Sequence, residues 1–105
     1  MTIEVFYFGG CPSYKPTVER IRTLLREERI DGDIRQVEVT DLLSARDRRF
    51  LGSPTVQVNG LDIERSARTD ERYGLCCRTY SGSGVPSVAM IRSALRDARG
   101  VECDG

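Results

Sequence analysis

The fold is decided by residues 2–11, which have the sequence TIEVFYFGGC. Apolar side chains alternate over both faces of this segment, with Ile3 and Val5 on one face and Phe6 and Phe8 on the other. A strand that is apolar on both faces is typical of the centre of a sheet with helices packed on each side. The two glycines that follow allow a sharp turn before the cysteine. The segment therefore predicts an α/β fold in which a thiol directly follows the first strand.

Helical and strand patterns alternate along the rest of the chain. They predict the order β-α-β-α-β-β-α, at residues 2–8, 13–29, 33–40, 41–50, 55–58, 61–63 and 86–99. The first helix is long enough for a right-handed parallel crossover between the first two strands. Asn59-Gly60 favours a type I′ hairpin with positive φ at both residues, so the last two strands pair antiparallel. We expect a four-stranded mixed sheet flanked by helices.

The length of 105 residues predicts one domain, since a chain of this size buries about 60–65% of its unfolded surface around a single core. Residues 1–99 form this domain, and residues 100–105 form a C-terminal tail. Glycines are predicted to end the three helices, at Gly32, Gly52 and Gly100. Residues 64–85 are an insert that is too long for an ordinary connection and too apolar for a solvated linker. We expect residues 73–80 to fold over the active face as a lid.

Charge and histidine content exclude several classes of protein. The 16 basic and 16 acidic residues balance, so no long-range field favours nucleic acid or an anionic membrane as a partner. The lack of histidine excludes Ser-His-Asp and Cys-His catalysis and histidine-based zinc hydrolysis. No apolar run approaches the length of a membrane helix, and Met1 leads into the first strand without a basic leader. These features predict a cytoplasmic protein with no resident cofactor, whose cysteines are reactive or metal-binding.

Cys11 is the principal candidate for chemistry. It lies at a strand-to-helix turn, where the N–H groups and positive dipole end of the helix favour a thiolate, with Lys15 one turn further on. The alternative is a small buried hydrophobe behind the strand. Cys76 and Cys77 are the second candidates. Of the two, Cys77 is favoured as the thiol that faces Cys11, because the adjacent Arg78 would stabilise a thiolate there.

The order of elements, the thiol after the first strand and the segment Ser53-Pro54-Thr55 resemble the thioredoxin and glutaredoxin superfamily over most of residues 1–97. The resemblance implies a thioredoxin-like fold, a cis Ser53–Pro54 bond and a proline loop that faces the active cysteine. It also implies that the backbone beside the proline binds an extended substrate, such as a peptide or glutathione, by strand addition. Ser53 stands where glutaredoxins usually have Val or Thr.

The segment Cys11-Pro12-Ser13-Tyr14 resembles a glutaredoxin motif in which Tyr14 replaces the second cysteine. Without that thiol, a mixed disulfide formed at Cys11 needs an external thiol or a distant cysteine for its release. The Ser13 or Tyr14 hydroxyl is a candidate hydrogen-bond donor to the thiolate. Alternatively, the Tyr14 ring packs over the hairpin.

Three functions are compatible with these residues. The first is thiol–disulfide exchange or reversible thiolation through Cys11, resolved by Cys77 or Cys76, with a thiol or disulfide substrate such as glutathione or a protein. The second is binding or detoxification of a soft metal, such as mercury, copper or arsenic, by Cys11, Cys76 and Cys77. The third is a non-catalytic binding domain on a thioredoxin scaffold.

The soft-metal hypothesis has a second, weaker resemblance behind it. The sequence FLGSPT at residues 50–55 is similar to a stretch in small thioredoxin-like proteins labelled alkylmercury-lyase-like. A lyase needs two thiols around the carbon–metal bond and an acid that protonates the leaving carbon. Asp62 and Asp70 are the candidates for that acid.

Overall fold

The computed structural model describes residues 1–80 and 82–104, with side chains up to residue 100. Its elements follow the predicted order, with a 3₁₀ helix added before the last helix. They are β1 Thr2–Tyr7, α1 Tyr14–Glu27, β2 Asp33–Glu38, α2 Leu42–Asp47, β3 Thr55–Val58, β4 Leu61–Asp62, the 3₁₀ helix Arg65–Thr69 and α3 Val88–Asp104. The protein therefore belongs to the α/β class.

The four strands form one open mixed sheet in the order β2-β1-β3-β4. Strand β1 pairs parallel with β2 and antiparallel with β3, and β3 pairs antiparallel with β4. The parallel crossover and the hairpin are thus confirmed. At the hairpin, φ is 51° at Asn59 and 85° at Gly60, the positive values that the Asn-Gly pair predicts. The Asn59 side chain also accepts a hydrogen bond of 3.0 Å from the Thr2 N–H.

The sheet separates two clusters of buried apolar side chains, as the first strand predicts. On one face, Ile3 and Val5 pack with apolar residues of α1 and α3 such as Ile21 and Leu95. On the other face, the smaller cluster consists of Phe6, Val39, Ala45 and Phe50 beneath α2. Because each strand alternates its side chains between the faces, the central strand supplies both clusters. The helices consequently cover both sides of the sheet.

The predicted helix ends at Gly32 and Gly52 are wrong. The chain leaves the helical conformation earlier, at Arg29 after α1 and at Arg49 after α2, where φ is 55° and 56°. In each case the next residue donates a backbone hydrogen bond back into the helix, as in a Schellman cap. The bond from Phe50 N–H to the Ala45 carbonyl is 2.8 Å, and the Phe50 side chain is fully buried. Burial of the following apolar residue therefore offsets the strain of a left-handed arginine.

Both ends of the last helix also differ from the prediction. Helix α3 begins at Val88 rather than Pro86, with the Ser87 side chain accepting a 3.1 Å hydrogen bond from the Met90 N–H. It continues through Gly100 to Asp104, so the tail predicted at residues 100–105 is helical up to its last described residue. Interior glycine costs a helix about 1 kcal/mol, and no proline follows to stop it. Within the described residues, none of the helices has the length and apolar character that a bilayer crossing requires.

Candidate functional site

Cys11 lies in the loop that joins β1 to α1. Its backbone N–H donates a 3.3 Å hydrogen bond to the Phe8 carbonyl, which closes a tight turn after the strand. Cys11 is a free cysteine and a half-buried residue. The residue is therefore not a sealed core hydrophobe.

Helix α1 starts three residues after this thiol. Ser13 is the N-cap, and its side chain makes no capping hydrogen bond. The Ser13 carbonyl instead accepts two bonds from Thr17, at 3.2 Å from the N–H and 2.7 Å from the hydroxyl. Pro16 fits in the first turn at no cost in hydrogen bonding, because first-turn N–H groups have no acceptor within the helix. The positive end of the helix thus lies next to the Cys11 loop.

The Tyr14 ring stacks on Tyr7 rather than over the hairpin. The ring centroids are 3.8 Å apart and the planes differ by 4°. This parallel stack fixes the start of α1 against the end of β1. Burial, the neighbouring Tyr14 hydroxyl and the Glu38 carboxylate together raise the pKa of Tyr7. Tyr14 therefore has a clear packing role, and a bond from its hydroxyl to the thiolate stays a prediction.

Ser53 connects the Cys11 loop with the proline loop. Its side chain is almost completely buried, at 2% exposure, and its hydroxyl oxygen accepts a 3.4 Å hydrogen bond from the Phe8 N–H. Phe8 thus joins Ser53 through its N–H and Cys11 through its carbonyl. The Ser53–Pro54 bond is cis, as the resemblance implies. Thr55 is fully buried and its hydroxyl donates to the Gly52 carbonyl at 2.6 Å.

Residues 73–80, which we call the strap, pair with the other side of Ser53. The Ser53 N–H donates to the Cys76 carbonyl at 2.8 Å, and the Arg78 N–H donates to the Ser53 carbonyl at 3.0 Å. This is a parallel bridge in which Cys77 lies opposite Ser53. Further along the strap, the buried Tyr80 hydroxyl donates to the Pro54 carbonyl at 2.6 Å. The segment predicted as a lid is therefore tied to the proline loop by its main chain.

Arg78 anchors the strap in the protein. Its guanidinium group, with a side chain only 9% exposed, binds both oxygens of Asp62 at 2.8 and 2.9 Å. It also binds Glu64 at 2.9 Å and lies 4.4 Å from the centre of the Tyr80 ring. Burial opposes the charged form, but the hydrogen bonds to Asp62 and Glu64 outweigh it and raise the pKa of Arg78. The predicted support of a Cys77 thiolate by Arg78 is thus wrong, since the guanidinium is committed to two carboxylates.

The two strap cysteines differ in their surroundings. The Cys76 sulfur lies 3.7 Å from the Leu51 carbonyl and 3.8 Å from the Gly74 carbonyl. Successive side chains of an extended segment point in opposite directions, so Cys77 projects away from the side shared by Cys76 and Arg78. Paired residues of a parallel bridge share a side, which puts Cys77 on the side of Ser53. Both thiols are free and exposed.

Two glycines allow the close approaches around this site. Gly52 has φ of 130°, and a Cβ atom there would lie 3.0 Å from the Arg78 Cβ and 3.1 Å from the Cys76 carbonyl oxygen. A Cβ atom on Gly84 would lie 2.7 Å from the Ser13 hydroxyl oxygen. The chain that leaves the strap therefore returns to the N-cap of α1, beside the Cys11 loop.

The structure does not support the predicted metal site or the predicted acids. Within the described residues, no group of three or more Cys, Asp or Glu side chains is arranged to hold a metal ion, so Cys11, Cys76 and Cys77 do not form such a group. Asp62 is bound by Arg78 through both carboxyl oxygens and its side chain is only 7% exposed, so it is not open to a substrate as the proposed acid. A hydrogen bond from Arg72 lowers the pKa of Asp70 to about 2. Asp70 is therefore ionised near neutral pH and is wrong as a proton donor.

The sequence-based prediction missed the ion pair that orders the strap. Arg78 and Asp62 are 16 positions apart, and they belong to two different segments, the insert and the hairpin. The one signal was the inward position of Asp62 opposite Gln57 in the hairpin, where an acidic side chain requires a partner.

In comparisons with known proteins, no family model, curated protein or solved structure matches the chain, so its function is argued from this site.

Proposed function

We propose that the protein is a thioredoxin-like thiol protein that carries out thiol–disulfide exchange through Cys11, with Cys77 or Cys76 as the resolving thiol. Three features support the thioredoxin-like part of the proposal. They are the strand order β2-β1-β3-β4 with β3 antiparallel to β1, the thiol loop before α1 and the cis proline that opens β3.

The observation that carries the proposal is the position of Ser53 between two cysteine-bearing segments. On one side, its hydroxyl accepts from Phe8, whose carbonyl in turn accepts from Cys11. On the other side, its backbone pairs with the strap opposite Cys77. Both thiols are free and at least partly exposed, which a nucleophile and a resolving thiol both require.

The proposed chemistry proceeds in two exchange steps. The Cys11 thiolate attacks one sulfur of a disulfide, forms a mixed disulfide and releases the other sulfur as a thiolate, which takes up a proton. The Cys77 thiolate then attacks the Cys11 sulfur, and the second half of the substrate leaves as a thiol. The substrate is reduced and the two cysteines are oxidised to a disulfide. A low-molecular-weight thiol in excess then reduces the Cys11–Cys77 disulfide by two further exchange steps and is itself oxidised to a disulfide.

Cys77 is the better resolving thiol of the two. It lies on the Ser53 side of the strap, whereas the Cys76 sulfur faces the Leu51 and Gly74 carbonyls. A resolving thiol must reach the sulfur of the mixed disulfide, and a disulfide requires α-carbons within about 7 Å.

The test is mass spectrometry of the protein after reaction with a small disulfide, compared with three serine variants. We expect the wild type to form an internal Cys11–Cys77 disulfide and Cys11→Ser to form neither that bond nor an adduct that leads to it. Cys77→Ser should accumulate the mixed disulfide at Cys11, because its release is blocked. Cys76→Ser is the matched control and should behave as the wild type. Modification of Cys76 and Cys77 with Cys11 inert would overturn the proposal.

A further inference from the structure

We propose that this site acts on small disulfides and excludes extended peptides, because the strap already occupies the backbone groups that an added strand would use. This inference rests on the proposed thiol exchange at Cys11 and names the class of substrate for it. Strand addition requires a free N–H and a free carbonyl at the edge of a sheet. The question is therefore whether the edge beside Pro54 offers them.

Ser53 has no backbone group left for a peptide. Its single N–H donates to the Cys76 carbonyl at 2.8 Å, and its carbonyl accepts from the Arg78 N–H at 3.0 Å. Pro54 has no N–H, and its carbonyl accepts from the Tyr80 hydroxyl at 2.6 Å. The strap thus makes the same main-chain bonds that a bound strand would make at this edge.

The strap is also difficult to displace. Arg78 and Asp62 have side chains that are 9% and 7% exposed, so lifting Arg78 would leave a buried carboxylate without its partner. Gly52 allows the strap to approach within 3.0 Å of the position that a Cβ atom would take, which leaves no gap for another chain between them. A peptide would have to break these contacts before it could pair with Ser53.

A small disulfide needs none of these backbone groups. It requires only that its sulfur reach the Cys11 sulfur along the axis of the bond that breaks. Cys11 is half-buried in the loop before α1, and Cys77 is exposed on the strap. The site therefore offers two accessible thiols beside an edge that is closed to main-chain pairing.

The experiment compares two activated probes with the same pyridyl leaving group. One is the pyridyl disulfide of N-acetylcysteine methylamide, and the other places the same residue in the middle of an extended peptide. Release of pyridinethione gives the rate of mixed-disulfide formation at Cys11, with Cys11→Ser as the blank. Because an extended peptide docked beside the strap would bury backbone N–H and carbonyl groups that find no partner there, we expect it to react roughly tenfold or more slowly than the small probe with the wild type.

Gly52→Ala pushes against the main chain of the strap and leaves all the cysteines in the sequence. The added methyl group would contact Arg78 and Cys76, so we expect the peptide to gain rate while the small probe does not. Gly60→Ala is the matched control, since Gly60 also has a positive φ, of 85°, but a Cβ atom there has nothing within 4 Å. It should leave the ratio of the two rates unchanged.

The two ways of failing are distinguishable. If wild-type Cys11 reacts equally fast with both probes while hydrogen exchange shows the Ser53 amide protected, the size selection is wrong and the thiol function stands. If Cys11 reacts with neither probe, the proposed function fails and this inference fails with it. The wild-type comparison alone decides the matter even if Gly52→Ala does not fold.

Discussion

The two segments that carry the candidate thiols are held in place very differently. The Cys11 loop has a backbone bond of 3.3 Å from Cys11 to Phe8 and a 3.4 Å bond from the Phe8 N–H to the Ser53 hydroxyl, and the cap that follows it, Ser13, makes no side-chain capping bond. The strap makes backbone hydrogen bonds to Phe50 and Ser53. It is also held by the buried ion pair of Arg78 and by the hydrogen bond from the Tyr80 hydroxyl. The comparison indicates that the strap is the more firmly held of the two segments.

The largest loss of stability is expected when the buried cation of the strap is removed. Arg78→Leu leaves Asp62, which is 7% exposed, without its partner. Truncating one partner of a buried pair costs about 3–5 kcal/mol, and we expect a loss of that size in the free energy of unfolding measured with urea.

The matched control for Arg78→Leu removes an exposed arginine of the same region. Arg72 is 90% exposed and pairs with Asp70, so Arg72→Leu should cost at most about 1 kcal/mol. Equal losses for the two variants would show that Arg78 does not anchor the strap.

A smaller effect is expected from the strap's last contact. Tyr80→Phe deletes the hydroxyl that donates to Pro54 at 2.6 Å and leaves a buried carbonyl without that donor. We expect a loss of about 1–2 kcal/mol in urea unfolding and faster hydrogen exchange at Arg78. Tyr73→Phe is the control, because Tyr73 is only half-buried and lies at the entrance of the strap. If both variants exchange alike, the hydroxyl does not tie down the strap.

The packing next to the Cys11 loop can be tested by substituting Tyr14. Tyr14→Leu removes the stack on Tyr7, and we expect a loss of about 0.5–1.5 kcal/mol of stability. It should also lower the pKa of Tyr7 toward its ordinary value of 10.0, because Tyr14 contributes to the rise. An absorbance titration of the phenols, with Tyr7→Phe for assignment, measures this change. Tyr14→Phe keeps the stack, so its stability should stay near that of the wild type.

The smallest expected effect is a pH dependence at the entrance to the strap. Arg72 lowers the pKa of Asp70 from 3.8 to about 2. Because the pKa is depressed in the folded state, the pair contributes stability above about pH 4 and loses it as the pH falls through 2. A carboxyl carbon titration by NMR should place the inflection of Asp70 near 2, and Arg72→Leu should move it back toward 3.8. An inflection that does not move would show that Arg72 is not the cause.

Much of the architecture follows from local patterns in the sequence. The two apolar faces of β1 predict a central strand, and Ile3 and Phe6 indeed supply opposite clusters. Asn59-Gly60 predicts the hairpin, because few residue pairs adopt positive φ twice at low cost. Each of these signals lies within a few residues of the feature that it predicts, and this is why they suffice.

The parts that could not be predicted depend on partners distant in the sequence. Nothing near Arg49 indicates a left-handed residue, since the burial of Phe50 in the core makes that ending favourable. Likewise, the strap is ordered by Asp62 and Ser53, which lie 16 and 25 positions before Arg78. The cysteines at the site were evident as residue types, whereas the arrangement around Ser53 required the tertiary structure.

The parallel bridge at Ser53 has a consequence for self-association. An open strand edge is a template on which a second molecule can add its own strand and begin to aggregate. Here β4 covers β3 at Gln57 and Val58, and the strap covers the same edge at Ser53. At the opposite edge of the sheet, β2 carries the charged residues Asp33, Arg35 and Glu38, which disfavour pairing with a strand of another molecule. The strap therefore leaves no free backbone pair at Ser53 on which a second molecule could add a strand.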